Sequence, residues 1–332
     1  MSVSFLSHTI SVACLACAIE AVFGYPAWLF RLIGHPVTWV GALIARLDHR
    51  LNHSNDTPRR RKLKGIITLG LLTSLPVLIV LLSLKLLSLI ATPLEIHILE
   101  GLVASTLIAQ RSLWEHVRAV LYGLKLEGLA GGRKAVSMIV GRDPEQLDEA
   151  GVIRAAIESL AENFSDGIVA PLFWTALGGL PGVVFYKSIN TADSMIGHLT
   201  PRHAAFGWAS AKLDDLINLP ASRLSAVWII LGAMTMRQAS PLGAFQAVRY
   251  DARHHRSPNA GWPEAAMAGA LGLKLAGPRV YGGVMVEDHW MGNGRSEAIQ
   301  DDLARALRLY RRACGVQGLV LIGLASWLWL WL

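Results

Sequence analysis

The sequence predicts an all-α polytopic membrane protein. It should have about four full spans, plus short or re-entrant helices and cytoplasmic amphipathic helices. Three observations carry this. Hydrophobic residues make up 53% of the 332 positions before the 31 glycines are added, whereas soluble domains reach about 45–50% with glycine included. Charged residues are only 17%, against roughly a quarter in soluble domains, and the mean hydropathy is +0.41. Three uncharged stretches also reach the roughly 17–20 residues a spanning helix needs. A disordered chain, a nucleic-acid-binding tail and a disulfide-stapled module are excluded; the expected large partner is the lipid bilayer, with no nucleic acid. Yet 31 Lys and Arg stand beside 24 Asp and Glu, more than a simple lipid-facing bundle can use.

The first span is Ser2–Ile19, uncharged up to Glu20. It has no basic residue before Arg31, so it reads as a retained span rather than a cleaved signal. Cys14 and Cys17 form a C-x-x-C inside it, without a second ligand pair, and read as packing residues rather than a zinc site. The second is Gly65–Leu84, with Pro76 as a kink point. The third is Val316–Leu332, ending in Trp327, Trp329 and Trp331 as an interfacial anchor. The basic run Arg59–Lys64 precedes the second span and Arg305, Arg308, Arg311 and Arg312 precede the third; both flanks are expected in the cytoplasm. The chain must then return after Lys85, and a helix from about Ile96 to Tyr122 is the candidate. Its Glu100, Arg111, Glu115 and His116 should face the protein interior. Ile168–Tyr186 is interrupted by Pro171, Gly178, Gly179 and Pro181, and Leu224–Met236 is short. Both are expected to dip in and return, lining a protein cavity. No convincing alternating strand appears. The whole chain reads as one integral membrane domain: membrane helices over 1–122, a core with re-entrant segments over 123–312, and a last span over 313–332.

The polar residues cluster around those short segments. Arg154, Glu158, Glu162 and Asp166 recur every four residues, on one helical face, with Asn163 beside them. Lys187, Asn190 and Asp193 follow the broken segment, and Asp214, Asp215, Asn218 and Arg223 precede the short one. Each alone could be a solvated face, a cap or a loop. Together, hard oxygen donors at a membrane edge suit Mg²⁺, which takes one or two carboxylates plus substrate phosphates. Arg249–Gly261 is a basic loop holding Arg256, Ser257 and Asn259, suited to phosphate or carboxylate or simply to a positive-inside loop. His254 and His255 are neighbours that point apart on a helix, which argues against a two-His metal site. His49 and His53, spaced by four, read as surface residues. No phosphate-binding G-x-x-x-x-G-K-[ST], G-x-G-x-x-G, H-E-x-x-H or G-x-S-x-G occurs. The residues alone support a membrane-embedded enzyme acting on a phosphate-bearing substrate with a divalent cation.

At these motifs the chain resembles the adenosylcobinamide-phosphate synthase (CobD/CbiB) family of cobalamin biosynthesis. The likeness runs through Glu20…Gly24-Tyr25-Pro26, His35-Pro36-Val37, Arg111-Ser112-Leu113 and Ile139–Asp143. It continues through ESLAENFSDGIVAPLFW (Glu158–Trp174), YKSINTADSMIG (Tyr186–Gly197) and AKLDDLINLPASRL (Ala211–Leu224). SPNAGWPEAAMAGAL (Ser257–Leu271) and Tyr281-Gly282-Gly283 complete it. Glu20 and Tyr25 stand where the family usually has Asp, and Leu275-Ala276-Gly277 stands where it usually has Leu-Gly-Gly.

The resemblance implies ATP-dependent amide-bond formation between adenosylcobyric acid and (R)-1-amino-2-propanol phosphate or a related amino alcohol. ATP would be a co-substrate and Mg²⁺ the cofactor. The casting that follows gives metal to Glu162, Asp166, Asp193 and Asp214. Glu158 would be the general base, and Asn163, Asn190 and Asn218 would orient reacting groups, with Asp215 and Lys187 also in the catalytic set. Arg142, Lys187, Arg223 and Arg256 would hold phosphate, and Ser257 and Asn259 would contact corrinoid or nucleotide. The bacterial cytoplasmic (inner) membrane is the implied location, with the active site facing the cytoplasm. Other late cobalamin-assembly membrane enzymes are the implied protein partners. The alternatives are an intramembrane Mg²⁺-dependent prenyltransferase and a non-enzymatic membrane regulator of the same fold.

Overall fold

A computed structural model describes residues 2–141, 143–277, 279–281, 284–286 and 288–331. Thirteen α-helices occur among them. In chain order they are α1 (Val3–Phe23), α2 (Ala27–Ile33), α3 (Pro36–Leu51), α4 (Pro58–Leu87), α5 (Pro93–Ser105), α6 (Gln110–Val136) and α7 (Glu149–Phe164). A π-helical turn, Ser165–Val169, leads into α8 (Ala170–Ile196). Then come α9 (Trp208–Ile217), α10 (Leu219–Met234), α11 (Pro241–Tyr250), α12 (Gly261–Leu271) and α13 (Gln300–Trp329). The only strands among the described residues are two short antiparallel pairs. β1 (Leu275–Ala276) pairs with β4 (Trp290–Met291), and β2 (Arg279–Tyr281) pairs with β3 (Val284–Val286).

Five helical segments are long and apolar enough to cross a bilayer: Val3–Phe23, Ala27–Leu51, Pro58–Leu87, Glu149–Ile196 and Gln300–Trp329. The chain is an all-α, multi-pass membrane protein. Helix α4 shows why: Ile66, Leu71, Leu78, Ile79 and Leu82 all lie exposed along it, a surface that only lipid tolerates.

Three expectations about the spans need correction. The segment from Ile96 to Tyr122 is not one helix. Ser105 and Thr106 turn their hydroxyls back onto Leu102 O and Val103 O, and the next amides bond three residues back, so the helix tightens and ends. Conversely, Ala27–Leu51 was not expected to span, because Arg31 and Arg46 leave an uncharged run too short to recognise. It is divided into α2 and α3 at Gly34, whose φ of 73° is a conformation that favours glycine. Third, Ile168–Tyr186, expected to dip in and return, belongs to the helical segment Glu149–Ile196, which is long and apolar enough to cross, although it does break at Gly179, with φ 60° inside α8. Helix α4 stays continuous through Pro76.

The chain sorts into two compact units. The first comprises Met1–Ala109, Ala170–Asn218 and Leu321–Leu332. Here α1 packs on α5 and α8, and α4 on α8 and α9. Close approach is built in: a Cβ at Gly101 would lie 2.5 Å from Leu15, and one at Gly65 would overlap the carbonyl of Phe206. The basic run in the first turns of α4 is partly structural, since Arg61 bonds Asn52 Oδ1 and Lys62 lies 3.3 Å over the Trp208 ring. The second unit comprises Gln110–Val169 and Leu219–Val320. Helix α12 is buried along its whole length and packs against α10, α11 and α7. These unit boundaries do not coincide with the sequence divisions at 122 and 312.

Candidate active site

In the first unit, the YKSINTADSMIG motif forms the last turns of α8 and the AKLDDLIN motif forms α9. The two helices pack together. Spacing on each helix then decides what meets. Tyr186, fully buried, donates its hydroxyl to Asn218 Oδ1 at 2.9 Å. Asn218 Nδ2 donates to Asp214 Oδ2 at 2.9 Å, as the i,i+4 spacing requires. Asn190 Nδ2 reaches the other oxygen, Asp214 Oδ1, at 3.4 Å, and Lys187 Nζ donates to Asn190 Oδ1 at 3.1 Å. One hydrogen-bonded chain therefore runs Tyr186–Asn218–Asp214–Asn190–Lys187, with Asp214 buried at its centre.

Asp193 and Asp215 lie within electrostatic range of Asp214, and Lys212 Nζ is 3.8 Å from Asp215. Three carboxylates thus crowd one helix pair. An ionised carboxylate has about four lone-pair sites, and the two amides occupy one on each oxygen of Asp214. The donor set is hard oxygen throughout, which fits Mg²⁺ completed by phosphate and water rather than a closed protein cage. Asp193, Asp214 and Asp215 are not drawn tightly enough to form such a cage among the described residues.

Lys187 also lines a cavity of about 320 Å³, together with Pro36, Val37, Leu75, Pro76 and Thr191. His35 lies within electrostatic range of Lys187. The His35-Pro36-Val37 motif is thereby brought beside the polar chain, a neighbourhood that sequence spacing alone could not reveal.

In the second unit, the polar stripe of α7 is only partly preserved. Glu158 is buried, and its Oε1 accepts the backbone N–H of Ala276 at 3.0 Å. Arg154 donates to the carbonyl of Ser296. Glu162 is exposed, and Asn163 donates back to Ser159 O at 2.9 Å. Asp166 falls in the π-helical turn that follows α7.

The Ser257-Pro258-Asn259 turn is held by its own side chains and by α10. Ser257 Oγ accepts from the backbone N–H of Asn259 and of Ala260, both at 3.2 Å. Arg223 Nη1 donates to Pro258 O and Asn259 Oδ1, both at 3.1 Å, and to Ser222 Oγ at 2.8 Å. Its guanidinium lies 4.4 Å over the Trp262 ring. Among the described residues, Nε and Nη2 of Arg223 have no hydrogen-bond partner, so the group keeps donors for an anion. Arg256 pairs with Asp288 at 2.9 Å. Arg142, cast as a phosphate ligand, lies outside the described residues, as do Gly282 and Gly283 of the Tyr281-Gly282-Gly283 motif.

Three functional candidates escaped the sequence reading. Tyr186 reads as core because its ring is apolar, although a buried tyrosine hydroxyl needs a partner. Asp251 and His289 are 38 residues apart in sequence and meet at 3.4 Å. Only the Asp251–His254 spacing could have drawn attention to them.

The comparisons with known proteins place the chain in one family. The model of the CobD/Cbib protein family matches residues 13–310. A cobalamin biosynthesis protein CobD of Sinorhizobium sp is 49% identical, covering 96% of this chain and 99% of that protein. Proteins of the same name from Rhizobium meliloti (strain 1021) and Rhodobacter capsulatus are 50% and 48% identical. They cover 91% and 95% of this chain, and 92% and 96% of their own lengths. No solved structure matches.

Proposed function

The chain belongs to the CobD/CbiB family of cobalamin biosynthesis, and on that premise we propose that it is adenosylcobinamide-phosphate synthase. It joins the propionate carboxylate of adenosylcobyric acid to the amine of (R)-1-amino-2-propanol phosphate, or of a related amino alcohol, at the expense of ATP. The observation that carries this reading is the chain Lys187–Asn190–Asp214–Asn218–Tyr186. It is a buried carboxylate held open by two amides, formed by two of the motifs shared with the family.

A carboxylate is a poor electrophile. In the proposed route its oxygen takes a phosphoryl group from ATP, the amine nitrogen attacks the acyl carbon, and phosphate departs with the C–O bond. Asp193 and Asp214 of the first unit, and Glu162 and Asp166 of the second, would each offer oxygen ligands to Mg²⁺, which would supply screening of phosphate charge. Asn190 and Asn218 fix the carboxylate, and Asp215 adds charge beside it. Lys187 and Arg223 neutralise phosphate oxygens, with Arg142 and Arg256 as additional cations. Glu158 takes the ammonium proton, Asn163 orients the substrate, and Ser257 and Asn259 present the turn that meets corrinoid or nucleotide. Residues 1–332 act as one integral membrane domain of the bacterial inner membrane, its reaction side in the cytoplasm, alongside other late cobalamin-assembly membrane enzymes.

The test is the purified protein incubated with adenosylcobyric acid, aminopropanol phosphate and Mg·ATP, read by mass. The amide product is expected, and it should vanish when Mg²⁺ or ATP is withheld. No product at adequate enzyme would reject the reading. A reporter fused after Lys187 should give a cytoplasmic signal; an extracytoplasmic signal would reject the orientation.

A further inference from the structure

Helix α11 ends at Tyr250, and Asp251 begins a 3₁₀ turn, Ala252–His254, whose last amide bonds back to Asp251 O at 2.9 Å. That turn brings the His254 ring back over the Asp251 side chain. From the segment before β4, the His289 ring packs on His254 with centroids 4.6 Å apart. His289 Nε2 stands 3.4 Å from Asp251 Oδ1. One ligand atom from each of the three side chains lies within 4.8 Å of the others, the only such group among the described residues. We propose that Asp251, His254 and His289 form a transition-metal site, and that Zn²⁺ is its ion.

The geometry fits that ion. Zn²⁺ binds nitrogen and oxygen ligands tetrahedrally at about 2.0–2.1 Å, which sets ligand-to-ligand edges of about 3.3 Å. The His289–Asp251 edge already has that length. His254 is exposed, so its ring can close the remaining distance by a rotamer change. The carboxylate is also oriented from behind. Gly292 N–H donates to Asp251 Oδ2 at 2.9 Å, which leaves Oδ1 facing the two imidazoles. Imidazole donors select zinc, copper, nickel or iron over Mg²⁺, so this site is distinct in kind from the oxygen cluster around Asp214. Arg256, two residues beyond His254, is paired with Asp288 at 2.9 Å. Three protein ligands leave a position open to water or to a phosphate oxygen. The ion would tie the turn after α11 to the segment entering β4.

The experiment uses the full chain without a histidine tag, purified in detergent and stripped with a chelator. Zn²⁺ is titrated against a chromophoric chelator with Mg²⁺ in excess, so that oxygen sites stay filled. One Zn²⁺ per chain is expected. His254→Gln and His289→Gln should each weaken it by at least about tenfold, while the His49→Gln/His53→Gln double variant should leave it unchanged. As a check on folding, the metal-free variants should melt with the metal-free parent, and Zn²⁺ should raise the melting temperature of the parent alone. No Zn²⁺ bound, or binding that either variant leaves intact, or binding that the His49/His53 variant weakens equally, would overturn the site and leave His289–Asp251 as a plain ion pair.

Discussion

Asp214 in the first unit and Arg223 in the second are built on the same plan with opposite sign. Each is a charged side chain on a helix next to a broken apolar segment, and each is clasped by an asparagine. Asn218 gives its N–H to Asp214, because its oxygen already accepts the Tyr186 hydroxyl. Asn259 instead gives its oxygen to Arg223 and to Ser222. Which end of an amide faces inward therefore decides whether an anion or a cation is stabilised. The balance of charge differs as well. Around Asp214, Asp193 and Asp215 leave carboxylate in excess, whereas Arg223 keeps Nε and Nη2 unbonded among the described residues. The first region calls for a cation and the second for an anion.

The sharpest way to break the comparison is to remove charge from the acidic region while keeping its shape. Asp214→Asn replaces a double acceptor with an amide whose N–H₂ must face one of the two donors, Asn190 or Asn218. Turnover is expected to fall by about 10²–10³-fold, in the range of losing one preorganised electrostatic group, and added Mg²⁺ should not restore it. Mass-detected amide formation reads the effect. Turnover within a few-fold of the parent would remove the first unit's carboxylate from the chemistry.

The basic region should respond differently. Arg223→Ala deletes the donors facing Pro258 O, Asn259 Oδ1 and Ser222 Oγ together with the stacking on Trp262. Arg223→Lys keeps the charge but not the planar fork. A substrate KM raised by about tenfold in the lysine variant, and further in the alanine variant, is expected for lost hydrogen bonds to a charged group. If kcat fell and KM stayed constant in both, Arg223 would be holding the turn rather than an anion.

The contrast also separates what the sequence made legible from what it hid. The Lys187–Asp193 and Asp214–Asn218 clusters were visible because polar residues at helical spacing are costly beside apolar segments. Their junction was hidden because it depends on how α8 packs against α9. The helix count was blurred by local chemistry. Hydroxyls at Ser105 and Thr106 end a helix that hydropathy alone continues, and Arg31 and Arg46 obscure one that hydropathy alone admits. The π-helical turn at Ser165–Val169 was hidden as well, since no residue type announces such a turn. His289 was out of reach for another reason: its partners lie in a distant segment, joined through β1 and β4 pairing that two-residue strands do not signal.

The smallest effect concerns the backbone that Glu158 holds. Ala276 has φ 56°, the left-handed conformation, the one non-glycine residue so placed among those described. An L-residue there carries about 1–2 kcal/mol of strain. The conformation persists because the Ala276 N–H is tied to Glu158 Oε1 at 3.0 Å and Leu275 and Ala276 pair with Met291 and Trp290. Ala276→Gly relieves the steric strain but adds freedom to the unfolded chain, which offsets part of the gain. A net stabilisation of about 1 kcal/mol is expected, seen as a rise of about 2 °C in the detergent melting temperature. The amide-forming rate should be unchanged, since Glu158 keeps its backbone donor. A fall in melting temperature would mean that the alanine methyl contributes more through packing than its backbone conformation costs. The Glu158 contact would then be the consequence of the turn rather than its cause.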